Sequence, residues 1–345
     1  MKSFTYAAMP ASAYSEECWR LHQTLHENKG RFDALRDQHQ GLLAKLEAQA
    51  LLDNVDASAR IDGIYLDPSH IQQLIDGAEA QSARERQVAG YARTLKAFQK
   101  NPERFPLDAA TFLAMHTVLV GAGSGKKSAY RQKDYVNMMM NGQVQRVPAS
   151  PILAFETPLY LGSACDNLAS AFAESASRKL MMIPTFAVDV MCIKPFDEGT
   201  GRLARLFSLL LMEKAGFDVY RYVSIDRLCE QHASAYYEAL NACLNSWDTP
   251  ECDYAPFVTL WLSLVSEAYR TLLALMENEP QGAPSKTQQV KDLFAFRTTP
   301  MTKAQVVDAL PEVSLSTIEN ALGALVREGY LEKLGAGRST AYRRK

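Results

Sequence analysis

The residues with the clearest capacity for chemistry lie in one short stretch, Lys194–Arg202, which Arg205 follows at helical spacing. Gly199 and Gly201 separate an apolar segment from a second helix-forming one, so a glycine loop is predicted to lead into a helix. The backbone N–H groups at a helix start, together with the helix dipole, attract anions. The spacing therefore indicates a phosphate site, although a simple corner between two helices with surface charges would fit it too.

Three side chains strengthen the phosphate interpretation. Arg202 and Arg205 are three residues apart, so both guanidinium groups lie on one face of the first helical turn and can reach one phosphate. Glu198 precedes the glycines and offers a carboxylate that can hold Mg²⁺ against phosphate oxygens. These residue types match a cradle for a phosphate group and its metal.

The elements that must position this loop are predicted to be mostly helical. Residues 135–148 instead predict a β-hairpin, because Asn141 and Gly142 are a strong type I′ turn signal between two strand-like runs. Such a hairpin either covers a helical core or offers an edge to an extended peptide. Helical periodicity predicts a helix pair over residues 15–52 with a break near Asn28–Gly30, and helices over 69–100, 108–120, 158–177, 184–193, 201–215, 225–244 and 254–277.

The C-terminal region, residues 285–345, has a pattern of its own. Three helices and two strands follow in the order of a winged helix-turn-helix, with Ser314–Glu328 as the recognition helix. Lys333–Lys345 contains five basic residues and no acid, as in a wing that contacts DNA phosphates. The alternative is a protein–protein or homodimerisation module. The residues predicted to contact duplex DNA are Ser316, Thr317, Asn320, Arg338, Arg343 and Arg344.

The stretch from Lys194 to Arg205, KPFDEGTGRLAR, resembles the signature of the Fic family, HPFx(D/E)GNGR with a second arginine shortly after it. Lys194 replaces the signature histidine, and Thr200 replaces the asparagine. Three other stretches resemble Fic elements in the same order. They are Ser58–Gly63, similar to the inhibitory helix motif (S/T)xxxE(G/N) but with Asp62 for the glutamate, Ala129–Arg131 before the flap, and the hairpin around Asn141 and Gly142, where Fic proteins carry their target-docking flap.

The resemblance implies a protein adenylyltransferase, which moves AMP from ATP to the hydroxyl of a protein docked at the flap. In that family the motif acid holds Mg²⁺, and the histidine removes the hydroxyl proton. Carried over, Glu198 would bind Mg²⁺, and Asp62 would pair with Arg205 and block productive ATP placement. The alternative for Ser58–Gly63 is an ordinary structural turn. The nucleotide-binding residues would be Gly199, Thr200, Gly201, Arg202 and Arg205.

Lys194 stands where the family places its base. A free lysine has a pKa of about 10.4 and a histidine one of about 6.5, whereas a general base works best with a pKa near the working pH. Burial, Arg202 and Arg205 would lower the pKa of Lys194, and a bound triphosphate and Glu198 would raise it. With nucleotide bound, a protonated lysine is expected, which clamps phosphate. Thr200 keeps a hydroxyl but lacks the reach of an amide, so phosphate contact should weaken.

The predicted fold class is mostly α: a Fic-type helical core with a β-hairpin flap, followed by a winged helix-turn-helix. The predicted domains are an N-terminal helical region with the inhibitory-like motif (1–100), a Fic core (101–280) and the winged helix (285–345).

Composition limits the possible functions. The net charge of −2 excludes a globally basic surface. No membrane span is expected, and six cysteines without a CxxC pair favour a cytoplasmic protein. Two functions stay open: an adenylyltransferase with weak or altered activity, and a catalytically impaired, nucleotide-binding regulator that binds DNA.

Overall fold

In the computed structural model the chain divides into two compact units, Met1–Glu277 and Asn278–Lys345. Asn141, Gly142 and Arg338, which the sequence predicts to act in the flap and the wing, lie outside the residues that the structure describes. At residues 121, 136–140 and 143–148 the backbone alone is described. The described residues are 2, 4–7, 14–121, 128–140, 143–148, 150–175, 177–249, 252–279, 286–295, 297, 299–335 and 340–344.

The N-terminal unit is helical apart from one antiparallel hairpin. Its strands are β1 (Tyr135–Met140) and β2 (Gln143–Pro148). Its helices are α1 (Glu16–Leu35), α2 (Gln40–Ile61), α3 (Pro68–Ile75), α4 (Ala83–Lys100), α5 (Ala109–Gly121), α6 (Thr157–Glu174), α7 (Lys179–Ile193), α8 (Thr200–Ala215), α9 (Ile225–Gln231), α10 (Ala233–Leu244) and α11 (Ala255–Glu277).

The hairpin has the register that its sequence predicts. Met140 pairs with Gln143, so a two-residue loop joins the strands and the predicted hairpin is confirmed. The predicted helix over residues 69–100 is instead two helices, because Ser82 starts α4 by accepting a hydrogen bond from the N–H of Glu85.

Two predicted helix limits are wrong. α1 runs unbroken through Asn28 and Gly30, since it packs along α11 and this packing outweighs the helix cost of one glycine, roughly 1 kcal/mol. α7 begins at Lys179 and carries Pro184 inside it rather than at its start. Burial of the preceding turn, Leu180–Ile183, compensates for the backbone hydrogen bond that the proline lacks.

The centre of the N-terminal unit is α7, almost every residue of which is buried. Its Asp189, 1% exposed, accepts hydrogen bonds from Tyr6 Oη at 2.6 Å, Trp247 Nε1 at 2.7 Å and Tyr254 Oη at 2.6 Å. These donors come from both ends of the unit. The region predicted as a separate domain over residues 1–100 therefore shares one hydrophobic core with residues 101–277.

One helix of the described residues, α11, is long and apolar enough to cross a membrane by length and composition. More than half of its most apolar window is buried inside the unit, and it packs against α1, α7 and α10. A core helix of a globular domain has this character, so α11 gives only weak support for a membrane span.

The C-terminal unit packs three helices on a small antiparallel sheet. Its elements are α12 (Lys286–Ala295), β3 (Met301–Thr302), α13 (Lys303–Ala309), α14 (Leu315–Arg327), β4 (Leu331–Leu334) and β5 (Ala341–Arg344). The sequence-based prediction lacks the two-residue strand β3, because so short a run carries no periodicity. The sheet order is β3-β5-β4, and Phe294, Ile318 and Leu322 form the centre of a separate core.

Candidate functional site

The glycine loop joins the C-terminus of α7 to the N-terminus of α8, as predicted. Gly199 is the N-cap of α8 with a φ of 77°, a conformation that glycine adopts without strain. Its carbonyl accepts the first intrahelical hydrogen bond of α8, from Leu203 N at 2.9 Å. The N–H groups of Thr200, Gly201 and Arg202 precede that bond and form the anion-attracting helix start.

The loop is anchored by an aromatic stack. Phe196 lies parallel to His116, with ring centroids 3.6 Å apart. His116 Nε2 lies 2.9 Å from the Glu198 carbonyl oxygen, and its Nδ1 lies 2.5 Å from Ser128 Oγ. Burial lowers the pKa of His116, which favours the neutral ring. With both ring nitrogens engaged, His116 is a buried structural histidine and not a substitute base.

Arg131 holds the other side of the loop. Its Nε donates to the Lys194 carbonyl at 3.0 Å, its Nη2 donates to the Ile152 carbonyl at 2.6 Å, and its backbone N–H donates to the Pro195 carbonyl at 2.9 Å. The side chain is 1% exposed. This arginine, in the stretch that resembles the Fic element before the flap, therefore shapes the loop backbone instead of binding a ligand.

Lys194 is the only residue other than glycine with a positive φ among the described residues, at 45°. It is the C-cap of α7, where its N–H donates to the Val190 carbonyl at 2.9 Å. A left-handed lysine costs roughly 1–2 kcal/mol. The bonds from Arg131 to the carbonyls of Lys194 and Pro195 fix the conformation.

The pKa of Lys194 is lowered, as the sequence predicts, but by a different neighbour. Partial burial lowers the pKa most, the positive charge of Arg131 lowers it further, and Asp197 raises it. The prediction named Arg202 and Arg205 as the neighbours that lower it. Those two arginines contact an acid from another helix, so their positive charge is largely compensated.

That acid is Asp62, the residue after α2, and it contacts both arginines of the loop. Asp62 Oδ2 lies 2.7 Å from Arg202 Nη2, and Asp62 Oδ1 lies 3.1 Å from Arg205 Nη2. The expected contact with Arg205 is present, and the contact with Arg202 is shorter. Gly63, with a φ of 74°, ends α2, and Ser58 accepts from Arg205 Nη2 through its carbonyl and its Oγ, both at 3.3 Å.

A second acid approaches Arg205 from α9. Asp226 is 1% exposed, and its Oδ1 lies 3.6 Å from Arg205 Nε, an ion pair without a hydrogen bond. The Tyr91 hydroxyl donates to its other oxygen. Burial raises the pKa of Asp226, and Arg205 opposes this shift. Burial alone would lower the pKa of Arg205, but Asp62 and Asp226 together raise it, so Arg205 is a charged group with two counterions.

Arg202 has fewer partners. Its Nη1 donates to Gln87 Oε1 on α4 at 2.8 Å, whereas its buried Nε has no hydrogen-bond partner among the described residues. Burial lowers its pKa and Asp62 opposes the shift. An anion with several oxygens could satisfy the remaining donor of Arg202 in place of Asp62.

The predicted metal ligand Glu198 and the predicted phosphate contact Thr200 differ in their exposure to solvent. Glu198 is exposed beside the loop, and the described residues contain no group of three or more side chains that could hold a metal alone. Glu198 fits Mg²⁺ as a single carboxylate if nucleotide phosphates and water supply the other ligands. The Thr200 hydroxyl is buried and donates to the Phe196 carbonyl at 3.3 Å, so its backbone N–H is left to contact phosphate.

The predicted DNA-contacting residues lie in the C-terminal unit. Ser316 and Asn320 are exposed on α14, and Thr317 is half-buried beside the helix cap. Two predicted wing arginines already have partners in their own unit: Arg343 pairs with Glu332, and Arg344 donates to the Ala295 carbonyl at 2.6 Å. Glu332 offsets the positive charge of Arg343, whereas Arg344 keeps its charge but has one of its donors engaged.

No protein-family model matches the sequence, and no curated protein matches it. Solved structures do match. A Fic family protein from Desulfovibrio desulfuricans G20 has a TM-score of 0.62 at 18% identity, covering 96% of each chain. Fic-1 from C. elegans has a TM-score of 0.59 at 17% identity, covering 75% of this chain and 73% of that one. A Fic domain containing signaling protein from Bacteroides thetaiotaomicron VPI-5482 has a TM-score of 0.57 at 18% identity, covering 75% of this chain and 99% of that one. At sequence identities this low, the matches show a similarity of fold and nothing about activity.

Proposed function

We propose that this chain, which has the Fic fold, binds Mg-ATP at the loop Lys194–Arg202 and is a protein adenylyltransferase of low activity. The observation that carries the proposal is the Asp62 carboxylate seated on Arg202 and Arg205 at the start of α8. Two buried arginines at a helix N-terminus already hold an anionic group there. A phosphate has the same charge sign and more oxygens, so it can replace the carboxylate.

Each part of the site has a role in this proposal. Arg202 and the N–H groups of residues 200–202 bind phosphate, and Glu198 holds Mg²⁺, which would neutralise charge on the phosphates. In the transfer, a hydroxyl oxygen of the target attacks the α-phosphorus of ATP, the bond to pyrophosphate breaks, and the hydroxyl proton leaves to a base. His116 cannot serve, because both its ring nitrogens are engaged in the core.

Low activity follows from Lys194. Its backbone is held by Arg131, so its amine projects from a fixed point of the loop. An ammonium has no lone pair with which to accept a proton, and a bound nucleotide favours the ammonium form. Lys194 therefore contributes a phosphate clamp more readily than a base. A target protein would dock at the hairpin β1–β2 by adding a strand.

A second candidate function, nucleotide-responsive DNA binding, has narrower support. The exposed start of α14, with Ser316, Asn320 and Leu315, is an unoccupied face of the kind a recognition helix presents. Glu319 lies on the same helix and pairs with Lys303 at 2.6 Å. Glu319 repels DNA phosphate, and the pairing of Arg343 with Glu332 offsets one positive charge of the wing, so adenylyl transfer is the better supported function.

Titration calorimetry with Mg-ATP tests the proposal. Wild-type protein should release heat that disappears when Mg²⁺ is removed, and Arg202→Ala should weaken binding at least about tenfold, because a charge-assisted hydrogen bond is lost. Arg20→Ala, at an exposed arginine of α1 whose ion-pair partner is Glu17, is the matched control. Absence of binding in both wild type and Asp62→Gly would remove the nucleotide assignment.

A further inference from the structure

A groove of about 270 Å³ lies between α4, α5 and the turn that joins them, and it shares no residue with the glycine loop. This volume is just below the range of about 300–1,000 Å³ that is common for small-molecule sites. The floor is apolar and the edges are charged. The lining residues are Arg93, Thr94, Ala97, Arg104, Phe105, Thr111, Ala114, Met115 and Val118.

The groove opens because α4 and α5 cross closely at one point. A Cβ at Gly90 would lie 2.3 Å from the Val118 carbonyl oxygen, so only glycine permits this approach. Away from the crossing the helices face each other through small side chains, Ala97 and Ala114, which do not fill the space. The space therefore follows from the packing of the two helices.

Both charged groups at the groove are arginines. Neither Arg93 nor Arg104 has a hydrogen bond or an ion pair with another described residue, and both are exposed. The nearby acid Asp108 is engaged as the cap of α5, accepting from Thr111 N at 2.7 Å. Thr94 is satisfied by the Gly90 carbonyl at 2.9 Å. The groove thus combines an apolar floor with two guanidinium groups that are available to an anion.

We propose that this groove binds a small amphipathic carboxylate, an alkyl chain of medium length with one carboxyl group. The chain would lie on Phe105, Met115 and Val118, where burial of apolar surface stabilises it. The carboxylate would lie between Arg93 and Arg104, whose planar forks match its two oxygens. A phosphate alone would gain nothing from the floor, and an uncharged chain would gain nothing from the arginines.

Calorimetric titration of the full chain with octanoate tests this proposal, with octan-1-ol as the probe that keeps the chain and lacks the charge. Octanoate should bind, and octan-1-ol should bind at least about tenfold more weakly. The double variant Arg93→Ala/Arg104→Ala should lose a similar factor for octanoate. Arg84→Ala, on the same helix but outside the groove, should bind like wild type.

A second variant separates groove binding from a loss of folding. Ala114→Leu places a good helix former in a half-open groove, so the fold should survive while octanoate binding is lost. The proposal is overturned if octanoate does not bind the wild type, if octan-1-ol binds equally well, or if octanoate binding persists in the arginine variant or in Ala114→Leu.

Discussion

Arg205 and Asp226 form a buried ion pair in which Asp226 Oδ1 lies 3.6 Å from Arg205 Nε. Arg205 is 7% exposed and Asp226 is 1% exposed, so water screens the pair little. Asp226 is fixed by the Tyr91 hydroxyl of α4 and by its place in α9. Arg205 therefore keeps a counterion even when Asp62 moves away.

Removal of this counterion should strengthen nucleotide binding. In an Asp62→Gly background, Asp226→Asn should tighten Mg-ATP binding about tenfold, because Arg205 then finds its only full counter-charge on the phosphates. Without nucleotide the same variant should lose roughly 3 kcal/mol of unfolding free energy, since a buried charge is left unpaired. Calorimetry and urea denaturation measure the two effects. Asp189→Asn, at an equally buried acid bonded to three neutral donors, is the control for affinity, and an equal gain in Mg-ATP affinity from both substitutions would contradict the prediction.

Asp62→Gly alone should raise the affinity for Mg-ATP, since the carboxylate that occupies Arg202 and Arg205 is removed. We expect at least about a tenfold gain, the value of one charge-assisted hydrogen bond. Asp76→Gly is a matched control, because Asp76 is likewise the C-cap of a helix and is exposed. If the two variants bind Mg-ATP equally, Ser58–Gly63 is a structural turn only.

Lys194→His should raise adenylyl transfer about a hundred- to ten-thousand-fold, the usual contribution of a general base. Histidine is largely neutral near pH 7 and can accept the hydroxyl proton. The rate is measured in an Asp62→Gly background as incorporation into protein of label from ATP labelled in its α-phosphate, and Thr200→Asn should raise it further.

The dependence of the wild-type rate on pH tests the competing role of Lys194. Because burial and Arg131 lower the pKa of Lys194, wild-type transfer should grow as pH rises if the neutral amine is a working base. A wild type as fast as Lys194→His at neutral pH would show that it is.

The backbone of Lys194 gives a stability prediction independent of nucleotide. Lys194→Gly and Lys194→Ala both remove the partly buried amine, but of the two variants only glycine adopts a φ of 45° without strain. The glycine variant should therefore be more stable than the alanine variant by about 1 kcal/mol in urea denaturation. At the helix-interior position Gly162, where no atom crowds a Cβ, alanine should instead be more stable than glycine. Greater stability of Lys194→Ala would show that the left-handed conformation is not retained.

DNA binding by the C-terminal unit is expected to be weak and salt-sensitive. Fluorescence anisotropy of a labelled duplex with the full chain should show affinity falling steeply as salt rises. Ser316→Glu/Asn320→Glu should abolish it through charge repulsion, while Glu312→Gln, on the turn before α14, should not reduce it. Binding indifferent to salt, or no binding at all, would leave the unit as a protein-interaction module.

The sequence predicts the loop and the hairpin because each is a local pattern with fixed spacing, whereas the Asp62–Arg205 contact is expected only from the resemblance of Ser58–Gly63 to the Fic inhibitory motif. It does not reveal Asp226, since an acid in the first turn of a helix is also what helix capping favours. The sequence does not reveal Gln87, which accepts from Arg202, or Tyr91, which donates to Asp226, because both reach the site only through the packing of α4. Such contacts depend on tertiary packing, which the periodicity of a sequence does not predict.

Arg131 has a consequence for the thermodynamics of recognition. Its hydrogen bonds to the carbonyls of Lys194, Pro195 and Ile152 are made within the chain itself. Ordering a loop residue costs roughly 1–2 kcal/mol of backbone entropy, and here that cost is borne when the chain folds. In the proposed function, a nucleotide would therefore have to displace the Asp62 side chain but would not have to organise the loop, so its rate of association should be set by exchange of one anion for another.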